Sequence, residues 1–240
     1  MNTTLLIPDE AVRYILFQRT AYLQFPIAPV YRLLHNLLPF QTPLYNIVVA
    51  TEARLRKTRT KALYVEDMCK EFQSIQHVLP QTCSAILDIG CGVAGIDVLL
   101  HRHYGNPSPH FYLLDKSHVE KAVWYLFKSD GAFYNSLDVV KQVLRTNGIA
   151  EDHIHVREAT NDYRMPLDTP MDLVLSLLSW GFHYPVAPYI RAVHRLLRNN
   201  GVVILDVRKD TDGLDVLRQH FQQIEVIVDA PKYERIVARK

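Results

Sequence analysis

The chain has 240 residues, 48% of them hydrophobic, enough to bury one large core and carry an extension. A net charge of +2 is too mild to argue for general nucleic-acid binding. The three cysteines (Cys69, Cys83, Cys91) contain no CxxC pair and point to neither a disulfide framework nor a zinc site, which fits a reducing cytoplasm. No apolar run is long enough to span a bilayer, and the first residues lack the basic-then-apolar pattern of a signal peptide. A cytoplasmic protein away from membranes is the expectation.

Residues 1–80 read as helical. Pro8-Asp9-Glu10 opens a helix carrying Val12, Ile15, Leu16 and Tyr22. A second apolar stretch covers Ala28 to Leu38, a third helix is expected from Tyr45 to about Ala62, and a fourth from Val65 to His77, stopped by Pro80. From Ser84 the pattern alternates. Strands are expected at Ala85–Ile89, Phe111–Leu114, Ile154–Arg157, Leu173–Leu177 and Val202–Val207. Helices are expected at Ile96–Tyr104, Val119–Phe127, Leu137–Thr146, Pro188–Leu197 and Leu214–Phe221, with Asn147-Gly148 and Asn199-Asn200-Gly201 as stop signals. Such alternation predicts an α/β fold with a parallel, doubly wound sheet. The link Ala230-Pro231-Lys232-Tyr233 is too short for a crossover helix, so Gln223–Asp229 and Glu234–Arg239 should close the sheet as an antiparallel hairpin.

The most informative stretch is Ala85-Ile-Leu-Asp-Ile-Gly-Cys-Gly-Val-Ala-Gly95: a buried strand, a glycine turn at Gly90, Gly92 and Gly95, then a helix start. Asp115 follows at the end of the second strand, where a carboxylate accepts hydrogen bonds from ribose hydroxyls. The spacing suits a nicotinamide dinucleotide and S-adenosylmethionine equally. Three features favour the latter. Asp88, two residues before Gly90, would repel a pyrophosphate but orient an ammonium group. The motif follows some 80 residues of helix. The closing hairpin fits poorly with an all-parallel dinucleotide fold.

Leu87-Asp-Ile-Gly-Cys-Gly-Val-Ala-Gly95 resembles motif I of the class I S-adenosylmethionine-dependent methyltransferases. The resemblance runs over about residues 84–240. It takes in Leu114-Asp115, Arg157-Glu158-Ala159, Met171–Ser176 and Leu196–Ile204. It implies a Rossmann-like seven-stranded sheet whose last strand is antiparallel, forming a cofactor domain over 81–240; the helical residues 1–80 ahead of it read as a substrate lid or a dimer surface. It further implies that Gly90, Cys91 and Gly92 pass beneath the methionine part of the cofactor, with Gly95 opening the helix, and that Asp88 anchors its amino group. Asp115 would hold the ribose, Lys116 would lie beside the adenine, and Glu158 and Ala159, or Asn161 or Asp162, would meet the adenine edge. Leu177, Leu178 and Ser179 would flank the methyl-sulfonium.

Trp180-Gly-Phe-His-Tyr-Pro185 follows the fourth strand, where the methyl should lie. His183 is the leading base candidate because imidazole titrates near neutrality, with Tyr184 second; a ring that only lines the cavity is the competing reading. No Asn-Pro-Pro-Tyr follows that strand, which argues against base amino methylation, and the absence of a nearby cysteine disfavours cytosine C5 chemistry. Neither an acidic metal cluster beside Asp172 nor a His101/His103 site is expected, and His153 with His155 is a weak ligand pair. Phe25, Ile27, Tyr31, Leu34, Leu38, Phe40 and Tyr45 pack on the sheet or line an acceptor pocket, and the region also offers a homodimer surface. The basic run Arg54-Leu-Arg-Lys-Thr-Arg-Thr-Lys61 reads as a solvated face or as a phosphate contact.

The expected activity is therefore methyl transfer to oxygen or nitrogen of a small molecule. RNA as acceptor, a non-catalytic cofactor-binding subunit and a nicotinamide-dependent oxidoreductase are the competing readings.

Overall fold

Ala85–Ile89 forms strand β1, and all five residues are buried although one of them is Asp88. A strand without a solvent face belongs inside a parallel sheet covered on both sides. The computed structural model describes residues 5–24, 43–117 and 135–240, with the side chains of 43–45 excepted. In it β1 lies third in a seven-stranded sheet. The other strands are β2 (His110–Asp115), β3 (Ile154–Glu158), β4 (Met171–Ser176), β5 (Leu197–Arg208), β6 (Gln223–Asp229) and β7 (Tyr233–Arg239), in the order β3-β2-β1-β4-β5-β7-β6. β1 to β5 are mutually parallel, and β7 runs antiparallel to both β5 and β6. The winding reverses between β1 and β4, so a crevice opens at the carboxyl ends of those two strands.

The described helices are α1 (Asp9–Gln18), α2 (Pro43–Leu55), α3 (Lys57–Ile75), α4 (Gly95–Tyr104), α5 (Leu137–Thr146), α6 (Ala187–Leu196) and α7 (Gly213–Arg218). α5, for example, buries an apolar stripe of Val140, Val143 and Leu144. One face of the sheet packs Ile86, Phe111 and Leu113 against α4 and α5, and the same core takes in Ala11 and Ile15 of α1 and Met68 and Ile75 of α3. The other face packs Leu87, Val174 and Val203 against Ile190 and Val193 of α6 and Leu217 of α7. α1 and α3 thus share their core with the sheet.

The alternating strand and helix pattern and the closing hairpin appear as the sequence predicts, while several boundaries differ. The expected third and fourth helices meet at Arg56 (φ −126°, ψ 24°), not near residue 63. The break is tertiary in origin. Val49 of α2 packs with Val12, Leu16 and Phe17 of α1, whereas Tyr64 and Met68 of α3 pack on the core of the sheet. Asn199-Asn200-Gly201 does not stop a helix. α6 ends at Leu196, and these residues form an irregularity within β5, opposite the shift between Met171 and Leu173, with Asn200 at φ +66°. β4 ends at Ser176, not Leu177, and α7 ends at Arg218, not Phe221. The expected segments Ala28–Leu38 and Val119–Phe127 lie outside the described residues, as do Phe25, Ile27, Tyr31, Leu34, Leu38, Phe40 and the side chain of Tyr45. Among the described residues no helix is long and apolar enough to cross a membrane.

Candidate functional site

The glycine turn leaves β1 at the crevice. Gly90 takes φ +78° and Gly92 φ +55°, conformations that glycine adopts without steric cost. Gly90 N–H donates to Leu114 O at 2.7 Å, tying the turn to the end of β2. A Cβ on Gly90 would lie 1.9 Å from Ser179 Oγ, so the turn after β4 is pressed against the turn after β1. Gly95 N–H donates to the buried Tyr64 hydroxyl at 3.1 Å, which brings α3 onto the start of α4. At Gly92 a Cβ would lie 2.8 Å from Gln18 Oε1, so the end of α1 also stands over the turn.

Asp115 is folded onto this turn. Its Oδ2 accepts Gly92 N–H at 2.8 Å and the Asn135 amide at 2.8 Å, and its Oδ1 accepts Lys116 N–H at 2.7 Å. Burial pushes its pKa up to about 6 against these donors. Lys116 Nζ donates to Asn161 Oδ1, Glu158 Oε1 accepts Ser117 N–H at 2.7 Å, and Ala159 N–H donates to Asp115 O at 2.9 Å. Lys116, Glu158 and Ala159 are therefore gathered beside Asp115, along one rim of the crevice. Cys91 is buried, and burial followed by the Asp115, Asp88 and Asp97 carboxylates raises its pKa, so it remains a thiol rather than a nucleophilic thiolate.

Asp88 is 2% exposed, and beside it stands Asp97, 0% exposed, from the first turn of α4. Among the described residues, no donor meets Asp88 Oδ1 or either oxygen of Asp97. Buried acceptors without donors are costly, and they fit a ligand that brings a cation. Asp88 was legible in the sequence. Asp97 was missed, although a carboxylate among Ile96, Val98, Leu99 and Leu100 is itself a signal.

The opposite wall is the segment after β4. The Ser176 hydroxyl donates to Ile89 O at 2.6 Å and accepts Trp180 N–H at 2.8 Å, joining the ends of β1 and β4 to the turn. Leu178 holds φ +59°, unusual for a branched aliphatic residue, and its N–H donates to Asp206 Oδ2 at 3.1 Å. Leu177 is half-buried beside it. His183 N–H donates to Ser179 O at 2.8 Å, and its ring meets Phe182 edge-on at 4.8 Å. His183 is exposed to solvent, yet enough protein surrounds the imidazole to lower its pKa by desolvation, with Arg208 adding to the effect. Tyr184 is half-buried in the same turn.

The remaining candidates fall elsewhere. Asp172 accepts Ser84 N–H at 2.8 Å, Ser84 Oγ at 2.7 Å and Ala85 N–H at 3.0 Å, and so caps the opposite end of β1. His153 and His155 do come together, with His110: His153 stacks on His110 at 4.1 Å, and His110 Nδ1 lies 3.1 Å from His155 Nε2. They sit at the amino ends of β2 and β3, away from the crevice. In the last turn of α4, His101 Nδ1 lies 2.7 Å from Ser108 Oγ, and His103 meets Phe72 edge-on at 5.6 Å. Among the described residues no group of three His, Cys, Asp or Glu side chains, these histidines included, is arranged to hold a metal ion. In the basic run Lys57 and Lys61 both pair with Asp9, holding its carboxyl down to about 2, and Arg56 pairs with Glu52 at 3.2 Å and also donates to Gln24.

No protein-family model and no curated protein matches this sequence. Among solved structures, the chain is similar to a precorrin-6y methyltransferase from Geobacter metallireducens, with a TM-score of 0.50 and 18% identity over 73% of this chain and 88% of that one. It is similar to the 16S rRNA methyltransferase RsmC of T. Thermophilus, solved with AdoMet and guanosine, with a TM-score of 0.51 and 15% identity over 70% of this chain and 41% of that one. The StiE O-MT segment gives a TM-score of 0.50 and 17% identity over 80% of this chain and 62% of that one. The chain has the fold of the class I S-adenosylmethionine-dependent methyltransferases.

Proposed function

We propose that the protein is an S-adenosylmethionine-dependent methyltransferase acting on oxygen or nitrogen of a small molecule. The observation that carries this reading is the glycine turn at the β1/β4 switch point, bearing Asp115 on one side and, on the other, the buried Asp88, whose Oδ1 meets no donor among the described residues. The donor set fits the cofactor. Gly90 and Gly92 let a ligand approach the backbone, Asp115 offers acceptors to ribose hydroxyls, and Asp88 offers one to an ammonium group. The bound cofactor would supply an electrophilic methyl group.

This chain's own residues do the rest. The Leu177–Ser179 segment walls the place where the methyl would lie and excludes water from it. His183, held neutral by its lowered pKa, accepts the proton from an acceptor hydroxyl or amine. A small acceptor is favoured over RNA because Arg56, Lys57 and Lys61 are engaged within the protein and do not present a free phosphate-binding stripe.

Calorimetry with S-adenosylmethionine, S-adenosylhomocysteine and NAD tests the cofactor. Binding of the first two supports the proposal, and tight NAD binding without a response to S-adenosylhomocysteine overturns it. A metabolite extract screened for the mass shift of one methyl group then identifies the acceptor. Cofactor binding without turnover on any extract favours a non-catalytic subunit.

A further inference from the structure

Asp97 has no place in the mechanism above, and its position calls for a physical account. It is fully buried on α4, in a helix face otherwise made of Ile96, Val98, Leu99 and Leu100. Neither of its oxygens meets a donor among the described residues, and one oxygen of Asp88 is in the same condition. Two fully ionised carboxylates in contact, away from water and without donors, would carry a desolvation cost of several kcal/mol each. Such pairs keep one proton between them.

We propose that Asp88 and Asp97 form a single ammonium-recognising carboxyl pair, holding one shared proton until the amino group of the cofactor's methionine moiety arrives. This rests on the cofactor reading above. The step balances simply: a pair of charge −1 receives a ligand ammonium, loses its proton to solvent, and becomes a pair of charge −2 beside the cation. No bond other than O–H breaks and no redox partner is needed.

The surrounding electrostatics agree. Burial and the neighbouring Asp97 raise the Asp88 pKa, and burial pushes Asp97 up to about 7. The other titratable groups facing the pair are Asp115 from β2, Cys91 in the turn and Tyr64 from α3. Burial lifts Cys91 and Tyr64 further above neutrality, so both stay protonated. Asp115, at about 6, does titrate near this range, but it would face the ribose and not the amino acid.

That difference supplies the test. S-adenosylhomocysteine and 5′-methylthioadenosine share the ribose and adenine, and only the former carries the amino-acid end, with its α-ammonium and carboxylate groups. Calorimetry of each in two buffers of different ionisation enthalpy, from pH 7 to 7.8, where the pair keeps one proton, counts the protons released. The window lies below the usual α-amino range of about 8, so the ligand keeps its charge. The expected result is proton release by S-adenosylhomocysteine in excess of that by methylthioadenosine. Its Kd should fall with rising pH by up to about tenfold per unit, the limit for one linked proton. In Asp97→Asn the excess release should fall and the slope should flatten toward that of methylthioadenosine.

Equal proton release by the two ligands, or a wild-type slope in Asp97→Asn, would overturn the inference while leaving the cofactor assignment standing. Failure of S-adenosylhomocysteine to bind at any pH would overturn both. The comparison of the two ligands on the unmodified protein decides the matter even if Asp97→Asn does not fold.

Discussion

Arg235 holds Asp206 through two parallel hydrogen bonds, Nε to Oδ1 at 2.7 Å and Nη2 to Oδ2 at 2.8 Å, with the residues 1% and 0% exposed. The guanidinium also donates to Ser74 Oγ at 2.6 Å and pairs with Glu71 at 2.5 Å, both on α3. Asp206 in turn accepts Leu178 N–H. A helix ahead of the sheet is thereby connected, through β7 and β5, to the turn expected to face the methyl group.

Removing one partner of this pair strands a buried charge. Arg235→Leu should lower stability by about 3–5 kcal/mol, read from chemical denaturation. The double replacement Arg235→Met, Asp206→Leu should recover much of that loss. Turnover should stay low in the double variant, because Leu178 N–H would have no acceptor. Equal recovery of stability and turnover would mean that the pair does not position the turn.

The contact between Gly90 and Ser179 leaves no space for a side chain. Gly90→Ala places a Cβ on Ser179 Oγ and forces alanine to φ +78°. Cofactor affinity should collapse and the melting temperature should fall. Adding Ser179→Gly relieves the clash and should leave only the backbone term, roughly 1–2 kcal/mol for a left-handed non-glycine residue.

The Asp88–Asp97 pair makes stability depend on pH with a definite sign. Asp97 sits near 7 in the folded protein, against an ordinary 3.8. Between those values the folded state holds a proton that the unfolded chain has released, so stability falls as pH rises through this window. Asp97→Asn removes the titrating group. Its melting temperature should exceed that of wild type at pH 8 and show no such gain at pH 5. A gain of the same size at both pH values would point to packing instead.

His183→Ala should lower kcat by about 100-fold or more if the imidazole is the base, with cofactor affinity near wild type. Because the His183 pKa is lowered, the base is neutral to below the usual imidazole range and turnover should plateau early on the acid side. Arg208→Met removes one cause of the lowering and should shift that limb to higher pH. Parallel loss of affinity and turnover in His183→Ala would assign the ring to lining the cavity.

Asp115→Ala should weaken cofactor binding by about 10- to 100-fold, the cost of losing hydrogen bonds to a charged acceptor. The same change strips Gly92 N–H of its partner, so a smaller loss of stability should accompany it. Calorimetry and thermal melts on one preparation read both effects.

The features legible in the chain alone are those that depend on near neighbours. The apolar run 85–89, the glycines that tolerate positive φ, and the strand–helix alternation are local signals. They located β1, the turn, Asp115 and the closing hairpin to within a few residues. The break at Arg56 was not legible, because it arises from α2 and α3 meeting different partners rather than from a proline or glycine. Which polar groups share a site was set by the packing of distant elements. Asp97 faces Asp88 because α4 packs on β1; Arg235 reaches both Asp206 and α3 because β7 pairs with β5; Lys57 and Lys61 are spent on Asp9 because α1 lies along α3. Each of these relations depends on how elements pack, and side-chain type alone does not reveal whether a charge ends among partners, in water, or buried with another carboxylate.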